Sequence, residues 1–164
     1  MDALHIDISA LIAAAQKRLL ESAPVLIDYA DRTALEKNQL PPLLGKSQIN
    51  VYALWKRANS EEKWELMYIG QRSRQSGWSR VAQHLFSTPQ GTQSKLQEVR
   101  AAIEAGAQIG VTGILIEPDS MRLSIEEELI SRNSSSDSHL LWNRKARAKL
   151  PKRRKSAESI QRKP

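Results

Sequence analysis

The side chains best suited to chemistry in this chain are two tyrosines, Tyr52 and Tyr68, an arginine and histidine four residues apart, Arg80 and His84, and a glutamate run, Glu126 to Glu128. A tyrosine hydroxyl moves protons when cations or an acceptor adjust its pKa, an arginine clamps oxyanions through a rigid fork of donors, and a glutamate holds a hard divalent ion. Taken singly, each has a plainer explanation: tyrosines pack in sheets, a lone histidine is a satisfied polar residue, and a glutamate run is a solvated helix face. Cysteine is absent, which excludes a disulfide framework and a thiolate zinc site. His5, His84 and His139 lie too far apart in sequence to suggest a histidine cluster, so any metal is held mainly by oxygen.

The elements that must position these groups follow from local patterning. Ile49 to Trp55 and Trp64 to Gly70 are rich in strand formers, and the Lys56–Lys63 segment between them reads as a hairpin loop. Trp78 to Phe86 reads as a helix, Ser94 to Ala107 as another, Ile109 to Ile116 as a buried strand, and Met121 to Arg132 as a closing helix. Upstream, Ile8, Leu11, Ile12, Ala15 and Leu19 recur at helical spacing, Pro24 interrupts, and a weaker helical stretch runs from about Val25 to Lys37 before Pro41-Pro42 and Gly45. The expected fold class is α+β, with a three-stranded antiparallel sheet flanked by helices. The expected organisation is an N-terminal helical extension over 1–46, a core domain over 47–143 and a basic, disordered tail over 144–164.

In this order the residues resemble the GIY-YIG nucleases. Asn50-Val51-Tyr52 and Tyr68-Ile69-Gly70 are similar to the two name-giving tripeptides, and Arg80 and His84 fit an arginine and histidine that share one helix face. Glu126 heads a pattern of Glu, two residues, then Leu-Ile, and Asn143 fits the asparagine that ends the core. The resemblance covers residues 49 to 143. Asn50 and Val51 depart from the first tripeptide. Asparagine tolerates positive φ better than most residues, which is one way of keeping the strand entry. Glu127 competes with Glu126 as metal ligand, and the Leu-Ile register favours Glu126.

The resemblance implies an endonuclease that hydrolyses phosphodiester bonds of double-stranded DNA, most like the small restriction-type members. Glu126 would hold Mg²⁺, with Mn²⁺ able to substitute, since one carboxylate plus waters and phosphate oxygens suffices for such an ion. Arg80 would clamp a phosphate oxygen. Tyr52 would take a proton from water with His84 accepting or relaying it, Tyr68 would orient water or phosphate, and Asn143 would contact phosphate or position a neighbour. Lys56, Arg72 and Arg74 are further candidate DNA contacts. The rival readings are a phage or mobile-element endonuclease of relaxed specificity and a non-catalytic nucleic-acid-binding module.

The charge distribution fits an anionic partner. The chain carries +7, but residues 144 to 164 hold ten Lys or Arg and one Glu, so the preceding 143 residues are near −2. Lys152, Arg153, Arg154 and Lys155 form the densest run and read as a phosphate-binding arm that adds salt-sensitive affinity. No apolar stretch approaches a membrane span and no secretory signal is evident, so a soluble, cytoplasmic protein is expected. A palindromic target would need two active sites, which makes a homodimer one expectation.

Overall fold

Strands β2 (Val51–Arg57) and β3 (Glu65–Gln71) form the hairpin expected from their residues, paired antiparallel with a bulge between Leu54 and Trp55. The computed structural model describes residues 4–134 and 142–143. Before the hairpin come helix α1 (Ser9–Leu20) and strand β1 (Val25–Ile27); after it come α2 (Gly77–Leu85), α3 (Leu96–Glu104), β4 (Gln108–Ile114) and α4 (Arg122–Asn133).

The fold is α+β, but the sheet has four antiparallel strands in the order β1-β4-β2-β3, not three. The extra strand comes from the stretch expected to be helical between Val25 and Lys37, which instead holds β1 and a short 3-10 turn at Leu35–Lys37. Val25, Leu26 and Ile27 pair with Val111, Gly110 and Ile109, so a partner more than 80 residues away overrides a weak local helical preference.

Alternation along the strands sorts side chains to two faces. Tyr52, Leu54, Ile109 and Val111 pack with Val81 and Leu85 of α2 and Val99 and Ile103 of α3. Val51, Ala53, Trp55 and Ile69 pack instead with Ile12, Ala15 and Leu19 of α1 and Ile125 and Leu129 of α4. The result is a sheet between two helical layers. Each fully buried leucine or isoleucine here contributes about 1.5–3 kcal/mol of burial free energy. Gly106 ends α3 with φ +88°, a conformation that strains any residue with a Cβ, and its N–H donates to the Ile103 carbonyl.

The segment from α1 to Lys46 contributes to this core. Ile12, Leu19, Ile27 and Leu35 are buried, and the buried Tyr29 donates its hydroxyl hydrogen to the Leu85 carbonyl. Arg32 donates to the carbonyls of Ile103 and Ala107 at 3.0 and 2.9 Å, tying the N-terminal segment to the end of α3 and the start of the strand that follows. The tryptophans also serve packing. Trp55 donates to Thr112, Trp78 donates to the Ser47 carbonyl, and Trp64 lies under the Arg57 guanidinium.

Asn50 solves the strand entry differently from the expectation of positive φ, which no non-glycine residue among those described adopts. Its fully buried amide accepts from the Ile116 N–H at 2.7 Å and donates to the Ile116 carbonyl and to Asp119, each at 2.8 Å. The side chain thus staples the segment after β4 to the start of β2. Asn50→Ala would orphan the Ile116 donor and acceptor, and urea unfolding is expected to show a loss of about 2–4 kcal/mol. A loss below about 0.5 kcal/mol, the scale of an unremarkable surface change, would contradict this role.

Candidate active site

Tyr52 is directly opposite Gly70 on β3 and Gly113 on β4, so its ring has no side chain beside it on either neighbouring strand. The clearance at Gly70 is used fully. A Cβ there would meet Tyr68 Cε1 at 2.6 Å and the Tyr52 Cζ and Oη at 2.8 Å. Tyr68, two residues before Gly70, projects to the same face, and the two rings lie 6.3 Å apart.

Helix α2 brings Arg80 and His84 against this pair on successive turns. His84 is buried, its ring centroid 5.7 Å from Tyr52 and 5.2 Å from Tyr68. Its Nε2 lies 2.8 Å from the Tyr52 hydroxyl, and its Nδ1 accepts the backbone N–H of Lys95 at 2.9 Å. Burial, with help from Arg80 and Lys95, lowers the His84 pKa to about 3, so the ring is neutral at ordinary pH. Arg80 is half-buried, donating to the Gln83 side chain and to the Gln93 carbonyl on the segment joining α2 to α3.

Glu126 arrives from the opposite face of the sheet, on α4, and meets the site at the end of β3, where it accepts a backbone hydrogen bond from Gln71. Burial and the neighbouring Glu127 raise its pKa to about 7 against the Gln71 hydrogen bond. Glu127 and Glu128 are exposed, and Glu128 is ion-paired with Arg132 at 3.8 Å. The carboxylate turned toward the tyrosines is therefore that of Glu126. Its charge is felt by both: burial pushes Tyr68 up to about 12 and Tyr52 well above the ordinary tyrosine value, Glu126 raises both further, and Arg80 lowers both.

Tyr68, Arg80, His84 and Asn143 line a cleft of about 550 Å³, with Gln93 and Lys95 also on its wall. Asn143 has a specific geometric task. Its side chain accepts from the Ile69 N–H and donates to the Ile69 carbonyl, both at 2.9 Å, as another strand would at the outer edge of β3. That leaves its amide engaged with backbone rather than free for phosphate.

The other basic candidates are spread out. Lys56 sits toward the far end of β2 from Tyr52, paired with Glu65 at 3.6 Å, and does not line the cleft. Arg72 is exposed just beyond β3, and its backbone N–H donates to the Asn50 carbonyl. Arg74 pairs with Glu117 at 3.6 Å while its N–H donates to Asp119. Lys152, Arg153, Arg154 and Lys155 lie outside the described residues.

Sequence reasoning missed Lys95. Its ammonium lies 5.6 Å from the centroid of the Tyr68 ring and pairs with Glu98 at 3.5 Å, while its amide fixes His84. A backbone donor leaves no trace in residue type, so only its place just before α3 was readable. Among the described residues no cluster of three or more metal-ligating side chains occurs. One half-buried carboxylate, that of Glu126, fits a largely hydrated Mg²⁺ or Mn²⁺ and does not fit a closed structural site. No helix among those described is long and apolar enough to cross a membrane. Comparison with family models, curated proteins and solved structures finds no match to this chain.

Proposed function

We propose that this chain is a divalent-metal-dependent endodeoxyribonuclease of the GIY-YIG type, acting on double-stranded DNA as a sequence-specific, restriction-type enzyme. The observation that carries the reading is the convergence of Tyr52, Tyr68, His84, Arg80 and Glu126 from two strands and two helices on opposite sides of one sheet. Tyr52 and His84 are also buried in the core, but packing alone does not call for two tyrosines, a histidine, an arginine and a glutamate to meet at one place. Together they supply the needs of phosphodiester hydrolysis: proton transfer, clamping of a non-bridging oxygen, and a carboxylate for a metal.

Each group has a role set by its surroundings. Glu126 would hold the Mg²⁺ or Mn²⁺, which would supply Lewis-acid charge to the phosphate oxygens. Arg80 exchanges its contact with the Gln93 carbonyl for a non-bridging phosphate oxygen. One hydroxyl of the tyrosine pair first gives its proton to solvent, and the resulting phenolate takes the proton of the attacking water as that water's oxygen bonds to phosphorus. The bond from phosphorus to the leaving oxygen then breaks, and that oxygen takes a proton from solvent. Asn143 holds β3, and with it Tyr68, in place.

Arg72 and Arg74, on the segment leaving β3 beside Gly70, are suited to phosphate or groove contacts, and the basic stretch Lys152–Lys155 to sequence-independent affinity. Two sites on a palindrome would call for a homodimer. Digestion of a long linear DNA of mixed sequence with Mg²⁺ is expected to give discrete fragments. A smear would replace the restriction-type reading with a phage or mobile-element enzyme of relaxed specificity, and intact DNA under Mg²⁺ and Mn²⁺ would leave a binding module.

A further inference from the structure

The hydrogen bonds around His84 fix more than its position. A backbone N–H only donates, so the 2.9 Å contact from Lys95 requires a bare lone pair on Nδ1. A histidine with Nδ1 bare carries its proton on Nε2, and an imidazolium would set two donors against each other at this contact. Nε2–H therefore donates to the Tyr52 hydroxyl 2.8 Å away. With Nε2 occupied, His84 has no lone pair with which to receive the Tyr52 proton.

The Tyr52 hydrogen must then point elsewhere, and the neighbouring acceptor is the Tyr68 hydroxyl: the two rings lie 6.3 Å apart, and the Tyr52 hydroxyl and Tyr68 Cε1 both flank the same point above Gly70, at 2.8 and 2.6 Å from it. Exposure separates the two tyrosines further. Tyr52 is 0 % exposed, whereas Tyr68 is half-buried and lines the cleft. The cations near the pair, Arg80 and the Lys95 ammonium 5.6 Å from the Tyr68 ring centroid, also sit on the cleft wall.

We propose that the hydrogen-bond chain through this site runs in one direction, from the Lys95 amide through His84 and Tyr52 to Tyr68, so that Tyr68 is the tyrosine that meets the reacting water. His84 is then a positioning residue acting through Tyr52. Tyr52 is the buried donor that stabilises negative charge on the Tyr68 oxygen. Tyr68 is the catalytic residue: its hydroxyl first releases its proton to solvent in the cleft, and the resulting phenolate takes one proton from water as that water's oxygen bonds to phosphorus. This assignment rests on the nuclease reading for its chemistry, but the direction of the chain does not.

Two measurements on the full chain test it. Nitrogen-15 spectra of the histidine rings in the unmodified protein are expected to show His84 protonated at Nε2 and bare at Nδ1 near neutral pH; a proton on Nδ1, or on both nitrogens, would overturn the direction. Cleavage of plasmid DNA supplies the second. Glutamine places an amide donor where Nε2 stands but cannot act as a base, so His84→Gln is expected within about tenfold of the unmodified rate and His84→Ala about a hundredfold below it. Tyr68→Phe is expected to lose about a thousandfold and Tyr52→Phe, which removes the hydroxyl through which His84 acts, about a hundredfold. Equal losses for His84→Gln and His84→Ala would overturn the donor role, and a greater loss for Tyr52→Phe than for Tyr68→Phe would overturn the choice of tyrosine. If the unmodified protein cuts no DNA, the nuclease reading and the assignment of Tyr68 to water both fall, and the ring spectra still decide the direction of the chain.

Discussion

Replacing Glu126 with glutamine is expected to reduce metal-dependent DNA cleavage by about a thousandfold or more, because loss of the sole carboxylate ligand removes several kcal/mol of transition-state stabilisation. The same substitution is expected to stabilise the free protein at high pH. Glu126 has a pKa near 7 in the folded chain, raised by burial and Glu127 from 4.5. A folded pKa above the unfolded one means that the contribution to stability is full below about 4.5 and is lost as pH rises through about 7. Glutamine has no charge to desolvate, so Glu126→Gln should melt higher than the unmodified chain at pH 8 and nearly level with it at pH 5. His84 moves stability the other way, favouring the fold above its ordinary pKa and costing it as pH falls toward 3. That contribution is common to both proteins and cancels in their difference.

On the proposed function, metal binding would reverse the cost: Mg²⁺ or Mn²⁺ would bind the ionised carboxylate in competition with the proton, so the thermal shift it produces should grow between pH 6 and 8 and vanish in Glu126→Gln. Cleavage should rise over the same range, with a midpoint that falls by about one pH unit per tenfold increase in metal while proton and metal compete. A midpoint indifferent to metal concentration would mean that the titrating group is not the ligand.

The second large effect is expected at a residue with no side chain. Gly70→Ala puts a methyl group 2.6 Å from Tyr68 and 2.8 Å from the Tyr52 ring and hydroxyl, and Tyr52 is fully buried, so relief must come from displacing the pair. Overpacking of this kind costs about 1–3 kcal/mol in stability. Activity should fall further, by about a hundredfold or more, since displacement of Tyr52 breaks its 2.8 Å contact with His84 and displaces the pair by a distance that matters to reacting groups. Removing the Tyr52 hydroxyl relieves part of the crowding. Gly70→Ala should therefore cost less stability in a Tyr52→Phe background than alone, by double-mutant cycle. Additive losses would show that the methyl is accommodated elsewhere.

How far the sequence could be read depended on whether a residue acts through its own side chain and its own neighbourhood. The hairpin, α2, β4 and α4 lie within about two residues of the limits read from residue pattern, because each buries a face that its local pattern declares, while α3 ends at Glu104, short of the expected Ala107, where Gly106 turns the chain. Strand β1 was illegible. Three residues, Val25 to Ile27, carry no period, and only their pairing with Val111 to Ile109 makes them a strand. At the site, the types and spacing of Tyr52, Tyr68, Arg80 and His84 marked the residues that meet, and burial separates Glu126 from Glu127 and Glu128, which local sequence left in competition. Roles were harder to read than membership. Asn143 carries a side chain suited to phosphate but spends it on the edge of β3, and Asn50 holds the segment after β4 through a contact 66 residues away in sequence. The direction of the hydrogen bonds at His84 depends on the amide of Lys95, which every non-proline residue would supply.

The most direct test of the account is single-turnover cleavage of supercoiled plasmid by the full chain with Mg²⁺, beside a chelator control and Glu126→Gln protein shown to be folded. Conversion to nicked and linear DNA by the unmodified protein, abolished by chelator and reduced about a thousandfold in Glu126→Gln, is the expected result. Plasmid left supercoiled with either Mg²⁺ or Mn²⁺, or cut equally well by Glu126→Gln, would contradict it.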